Sequence, residues 1–183
     1  MLYTRKGDGG TTKTFGCDQR ISKSSAVAEA LGNLDEINSL LGLIKIKAPA
    51  DTAAAVATAQ QNLFTIQAEL AGADKRLTED KVTEAEKIID RIEKELPPIT
   101  TFFVSGGTEL AALCDFARTV ARRAERRVVA VNEEGLLADP AVGKPAISAP
   151  ALAYLNRLSS LLYALARLAN HKSGITEESP QYN

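Results

Sequence analysis

The chain has no tryptophan, one histidine, two cysteines and one methionine in 183 residues, and aromatic residues are only 5% of it. Each shortage excludes something. Cys17, Cys114 and the lone His171 form no CxxC and none of the spacings that hold structural zinc. No histidine is placed to activate either thiol, so both cysteines are read as inert. They fit a reducing cytoplasm, and one disulfide between them stays open. An excess of positive charge is also missing: 22 Lys and Arg face 23 Asp and Glu, for a net charge of −1. That excludes a protein that coats nucleic acid. No apolar run is long enough to span a membrane. The opening Met-Leu-Tyr-Thr-Arg-Lys runs straight into glycines without the apolar core of a signal peptide. The expectation is one soluble, cytoplasmic domain over residues 1–183.

What is abundant is alanine and leucine at helical spacing. Val27, Leu31, Leu34, Leu41 and Ile44 predict a first helix over residues 24–46, closed by Pro49. A second, capped by Asp51 or Thr52, runs through Leu63, Ile66 and Leu70. A third carries Ile88, Ile89 and Ile92 over 83–96 and stops at Pro97-Pro98. Residues 99–104 read as a short strand leading to Ser105-Gly106-Gly107-Thr108. Thr108 then caps a fourth helix whose stripe is Leu110, Leu113, Ala117, Val120, Ala124, Val128 and Val131. Residues 132–150 read as a long connection. A fifth helix over 151–171 turns Leu155, Leu158, Leu162, Leu165 and Leu168 inward, and residues 172–183 are expected to be a flexible polar tail. Five amphipathic helices with mostly short links predict an all-α, ferritin-like up-down bundle.

Three stretches stand out for chemistry. Thr4-Arg5-Lys6-Gly7-Asp8-Gly9-Gly10-Thr11-Thr12-Lys13-Thr14 gathers glycines, hydroxyls and cations ahead of the first helix. Glycines let successive N–H groups face one anion, as a polyphosphate requires, while a plain polar tail would have a similar composition. A P-loop is excluded, because Thr12 replaces its second glycine and no buried strand precedes it. On the fourth helix Arg118, Arg122 and Arg126 recur every four residues beside Arg123 and Arg127. Like charges at that spacing repel, so the face either meets an anion or is a solvated face balanced by Asp115, Glu125 and neighbouring helices. On the fifth, Asn156, Ser160, Tyr163 and Arg167 share one face. Asn156 there could bond a base or sugar, or a neighbouring backbone group.

Taken in order, these stretches resemble the PduO-type corrinoid adenosyltransferases. The family's opening Thr-Arg/Lys-x-Gly-Asp-x-Gly is matched by residues 4–10, its Arg-x-x-x-Arg-Arg-Ala-Glu-Arg by residues 118–126, and its Leu/Ile-Asn-Arg-Leu-Ser by residues 155–159. The resemblance implies a homotrimer of five-helix bundles with active sites between subunits. It places Thr4, Arg5, Lys6, Gly7, Thr12 and Lys13, with Lys23, on the ATP triphosphate and its Mg²⁺, so that residues 1–23 form the ATP-binding loop. Arg122, Arg123, Ala124, Glu125 and Arg126 would contact ATP, with Arg122 catalytic, and Asn156 would complete the nucleotide site. Asp35 and Arg118 match an inter-subunit salt bridge beside the corrinoid, and Phe102 matches the aromatic on the lower face of the corrin. In one departure, Ser105 stands before Gly106-Gly107 where many relatives have proline, which leaves the shape of that loop open.

The implied reaction moves the 5′-deoxyadenosyl group of ATP onto the cobalt of a reduced corrinoid. Cobalt is the nucleophile, so no side-chain nucleophile is needed, and cations must neutralise the departing triphosphate. No metal ligand is assigned to the protein itself, since Mg²⁺ would ride on the phosphates. The implied partners are a reductase that supplies the electron and a B12-dependent enzyme that takes the product. A non-catalytic corrinoid or nucleotide carrier on the same bundle is the alternative.

Overall fold

The computed structural model describes residues 2–15, 20–137 and 147–182. Cys17, and residues 138–146 of the expected long connection, lie outside the described residues. Five helices form the body: α1 (Ala26–Lys47), α2 (Ala50–Leu70), α3 (Glu79–Glu95), α4 (Glu109–Leu137) and α5 (Ala149–Lys172). Two two-residue strands, β1 (Thr11–Thr12) and β2 (Ile21–Ser22), pair antiparallel ahead of α1, with Thr11 opposite Ser22 and Thr12 opposite Ile21.

Local chemistry explains most helix starts. The Ser25 hydroxyl accepts from the Ala28 N–H, Thr108 from Ala111 and Ser148 from Ala151, each satisfying an orphan donor of a first turn. Helix α2 starts differently from expectation: Pro49 is its cap residue, with no side-chain bond, and Asp51 lies inside the first turn. The proline has no N–H to satisfy, so it ends α1 and admits α2 with only two residues between them. So short a link makes the two helices antiparallel neighbours. Helix α4 runs six residues further than the stripe suggests, absorbing residues 132–137 of the expected connection.

The core is made by the expected stripes. Leu34, Ile37, Leu41 and Ile44 of α1, Leu63 and Ile66 of α2, Ala117, Ala124 and Val128 of α4, and Leu155 and Leu158 of α5 are fully buried. Helix α4 packs on α1 and α5, α2 packs on α1, and α3 packs on α5. The alanines of α4 allow close approach on both of its sides, which leaves its Arg face outward. One buried charge pins the connections: the Glu69 carboxylate accepts from the Leu77 N–H and from both the N–H and hydroxyl of Ser148. It thereby joins the end of α2 to the start of α5.

The expected strand over 99–104 does not form. Among the described residues the only sheet is β1–β2. Pro97 and Pro98 offer no donors, and the Val104 N–H goes to the Glu178 carbonyl at 2.8 Å instead of to a neighbouring strand. The tail is tied at the same place, since Glu177 pairs with Arg167 at 2.9 Å. Chain through Glu178 therefore lies against the end of the bundle. Among the described residues, no helix is long and apolar enough to cross a membrane.

Candidate functional site

A large cavity, about 790 Å³, opens between the 99–105 segment, α4 and α5. Phe102, Asp115, Arg118, Arg122, Ser159 and Tyr163 are among its lining residues. A second cleft of about 270 Å³ is lined by Arg122, Glu125, Arg126, Val129, Glu133 and Asn156. Arg122 stands on both walls. Its position follows from helix geometry: Arg118, Arg122 and Arg126 lie one above another, and Asn156 faces them from α5. The Asn156 amide donates to Glu125 at 3.0 Å and its carbonyl accepts from Arg157 at 2.8 Å. Arg157 in turn binds Glu86 on α3 at 2.7 Å. The amide is thus held at a fixed angle beside Arg122.

The five arginines of α4 divide by the face they occupy. Arg123 donates to Asn33 at 2.9 Å and pairs with Glu36, and Arg127 lies 3.7 Å from Glu29, so both clamp α4 to α1. Arg118 pairs with Asp115 at 3.7 Å, and its Nε is buried without a hydrogen bond among the described residues. Arg122 and Arg126 are exposed and have no acidic partner among the described residues. A guanidinium with no internal partner has its fork open for a ligand anion.

Below the cavity the double glycine is required by geometry. Gly106 has φ +135° and Gly107 φ +97°, and a Cβ on Gly107 would sit 2.3 Å from the Asn170 side-chain oxygen. Asn170, buried on α5, donates to the Gly106 carbonyl at 2.9 Å and accepts from the Thr108 N–H at 3.0 Å. Asp115 accepts from the Gly106 N–H at 3.3 Å. Burial raises the Asp115 carboxyl above its ordinary range, against the lowering influence of Gly106 and Arg118. Burial also pushes the Cys114 thiol up to about 12, which leaves it protonated and unreactive.

The N-terminal run forms a turn-rich hairpin. Gly10 has φ +74° and Arg5 φ +58°. Arg20 holds the two limbs together, donating to the Lys6 carbonyl, the Thr11 hydroxyl and the Thr11 carbonyl. The Lys23 N–H donates to the Gly10 carbonyl at 2.9 Å, and the Lys23 ammonium lies where a Cβ on Gly7 would meet it at 3.0 Å. Thr4, Arg5, Lys6, Lys13 and Lys23 are exposed.

A family model described as cobalamin adenosyltransferase matches residues 2–169. The chain belongs to the cobalamin adenosyltransferase family. The corrinoid adenosyltransferase of Bacillus subtilis is 38% identical over 185 residues, covering 95% of this chain and 89% of that one. The corrinoid adenosyltransferase PduO of Salmonella typhimurium is 36% identical over 97% of this chain, which spans 53% of that protein's length. A solved structure, a variant PduO-type ATP:corrinoid adenosyltransferase from Lactobacillus reuteri complexed with cobalamin and ATP, matches with a TM-score of 0.88 at 28% identity. It covers 99% of this chain and 97% of that one.

In this cobalamin adenosyltransferase chain the residues singled out in the sequence fall into separate places. Phe102, Arg118 and Arg122 meet at the large cavity, and Arg122, Glu125, Arg126 and Asn156 at the cleft. Ala124 is buried in the core. Thr12, Gly7 and Lys23 share the hairpin, which lines neither cavity. Asp35 is exposed on α1 with no ion-pair partner among the described residues, so Asp35 and Arg118 are not paired within one chain. Sequence reasoning missed the loop anchors Asn170 and Asp115 and the hairpin strut Arg20. The double glycine was the only sequence signal for Asn170 and Asp115, since a close backbone approach needs a partner that only the fold identifies.

Proposed function

We propose that this chain transfers the 5′-deoxyadenosyl group of ATP to the cobalt of a reduced corrinoid, with the corrin over Phe102 in the large cavity and ATP in the cleft beside Asn156. The observation that carries the reading is Arg122, a guanidinium with no acidic partner among the described residues, on the wall common to both. The reacting carbon of ATP must lie between cobalt and triphosphate, and a cation at that boundary is where the leaving charge develops. Co(I) donates an electron pair to the 5′ carbon, and the bond from that carbon to the triphosphate oxygen breaks. The pair leaves on triphosphate, and cobalt is formally oxidised to Co(III). Arg122 and Arg126 bind the departing oxygens through charge-assisted hydrogen bonds, which neutralise the charge as it develops. Asn156, oriented by Glu125 and Arg157, bonds the nucleoside.

The hairpin supplies further cations, Arg5, Lys6, Lys13 and Lys23, around Gly7 and Thr12. It lies outside the cleft of its own chain, which suits a site completed by the hairpin of an adjacent subunit. A homotrimer meets that need, with Arg118 paired to the partner's Asp35. Mg²⁺ would bind through the triphosphate oxygens and offset their charge. A reductase delivers the electron that converts Co(II) to Co(I), a B12-dependent enzyme accepts the product, and the cytoplasm houses all three.

An anaerobic assay with MgATP and cob(I)alamin tests this. Adenosylcobalamin and inorganic triphosphate should appear in equal amounts. Binding of both substrates without product would instead identify a carrier.

A further inference from the structure

Residues 97–107 have no regular structure of their own, yet they present Phe102 with 79% of its surface exposed. An exposed aromatic on an irregular segment normally has no fixed direction. Here the direction is set from behind. Arg167 of α5 is only 5% exposed, and its guanidinium is spent on three neighbours. Its terminal nitrogen donates to the Pro97 carbonyl at 3.2 Å, its Nε donates to Glu177 at 2.9 Å, and its carbon lies 5.0 Å from the centroid of the Phe103 ring. Glu178 then takes the Val104 N–H at 2.8 Å. Phe103, beside Phe102 on the wall of the same cavity, is seated on Arg167, and Pro97 is bonded to the same guanidinium, so the segment that carries Phe102 is held on both sides of it.

We propose that Arg167 is a positioning residue for Phe102, which it aims by seating Phe103 and Pro97 and backing them with Glu177. The inference rests on the reading of that cavity as the corrinoid site. A planar guanidinium is needed because one group must stack on a ring and fork to two acceptors at once, which an ammonium cannot do. A buried arginine with no such task gains nothing over a well-packed apolar side chain. Glu177, on the other side of Arg167, stops the guanidinium from swinging toward solvent.

The decisive experiment is a double-mutant cycle between Arg167→Lys and Phe102→Ala in the full-length protein. Turnover is measured from cob(II)alamin with reductant and from pre-reduced cob(I)alamin. MgATP affinity and the absorption spectrum of bound cob(II)alamin, which reports its lower axial ligand, are read in parallel. Arg167→Lys should lower cob(II)alamin-dependent turnover about tenfold, the effect of losing one hydrogen bond to a charged group. The cob(I)alamin reaction should fall less, MgATP affinity should stay within about twofold, and the spectrum should shift toward the axially ligated form. Arg167→Lys combined with Phe102→Ala should be no worse than Phe102→Ala alone, because the lysine acts only through the ring. Glu177→Gln should give the same pattern more weakly, and it serves in place of Arg167→Lys if that variant does not fold. Additive losses, equal losses in both cobalt assays or an unchanged spectrum would overturn the inference. Wild-type protein that forms no adenosylcobalamin would sink the parent reading instead.

Discussion

Replacing Phe102 with alanine separates the two halves of the proposed reaction. The ring is 79% exposed, so its removal leaves no cavity in the core and should change the melting temperature by only a degree or two. A buried phenylalanine would have cost about 3–5 kcal/mol on truncation and harmed every property together. What the ring can contribute is its free face. A corrin resting on it would cover roughly half of a phenylalanine's area, about 100 Å². At about 25 cal/mol per Å² that is worth about 2.5 kcal/mol, or some seventyfold in rate if all of it is used to exclude the lower axial ligand. Co(II) is hard to reduce while that ligand is attached, whereas Co(I) lacks strong axial ligands. Phe102→Ala should therefore lose about seventyfold from cob(II)alamin with reductant and clearly less from pre-reduced cob(I)alamin. MgATP affinity should not move, because Phe102 does not line the cleft beside Asn156. Anaerobic assays on the two cobalt states, an ATP titration and a melting curve give the four numbers. Equal losses in both cobalt states with a large fall in melting temperature would refute the reasoning.

Arg122→Ala should lower kcat/KM by about a hundredfold, roughly 3 kcal/mol of transition-state stabilisation, with an unchanged melting curve because the side chain is exposed. Sedimentation equilibrium should show a trimer. Asp35→Arg with Arg118→Asp should recover activity lost in either single variant, and strictly additive losses would count against their contact. The raised Asp115 carboxyl makes the folded chain bind that proton more tightly than the unfolded chain. Its contribution to stability is therefore greatest below the ordinary aspartate range and declines as pH rises through the raised folded value. In pH-dependent urea melts, Asp115→Asn should lack that decline. Cys114, held protonated, should escape iodoacetamide at pH 8 in the native protein and react once denatured, as peptide mass mapping would show.

Much of this protein is determined by periodicity alone. Burial of Leu34, Leu41, Leu63, Val128 and Leu158 follows from spacings of three and four, because a helix must turn one stripe inward. The Arg face of α4 was legible for the same reason, as was the Thr108 cap. Tertiary structure decided which arginines are available. Arg123 and Arg127 differ from Arg122 and Arg126 only in whether Asn33, Glu36 and Glu29 of α1 lie opposite them, and no local pattern reports a partner some ninety residues away. The same holds at the mouth of the large cavity. Residues 99–104 have the composition of a strand, but a strand exists only where another backbone offers its ladder. Among the described residues the one backbone bond the segment makes to another part of the chain is to the Glu178 carbonyl, so the segment became a platform for Phe102, with Arg167 behind it and Asn170 holding its end.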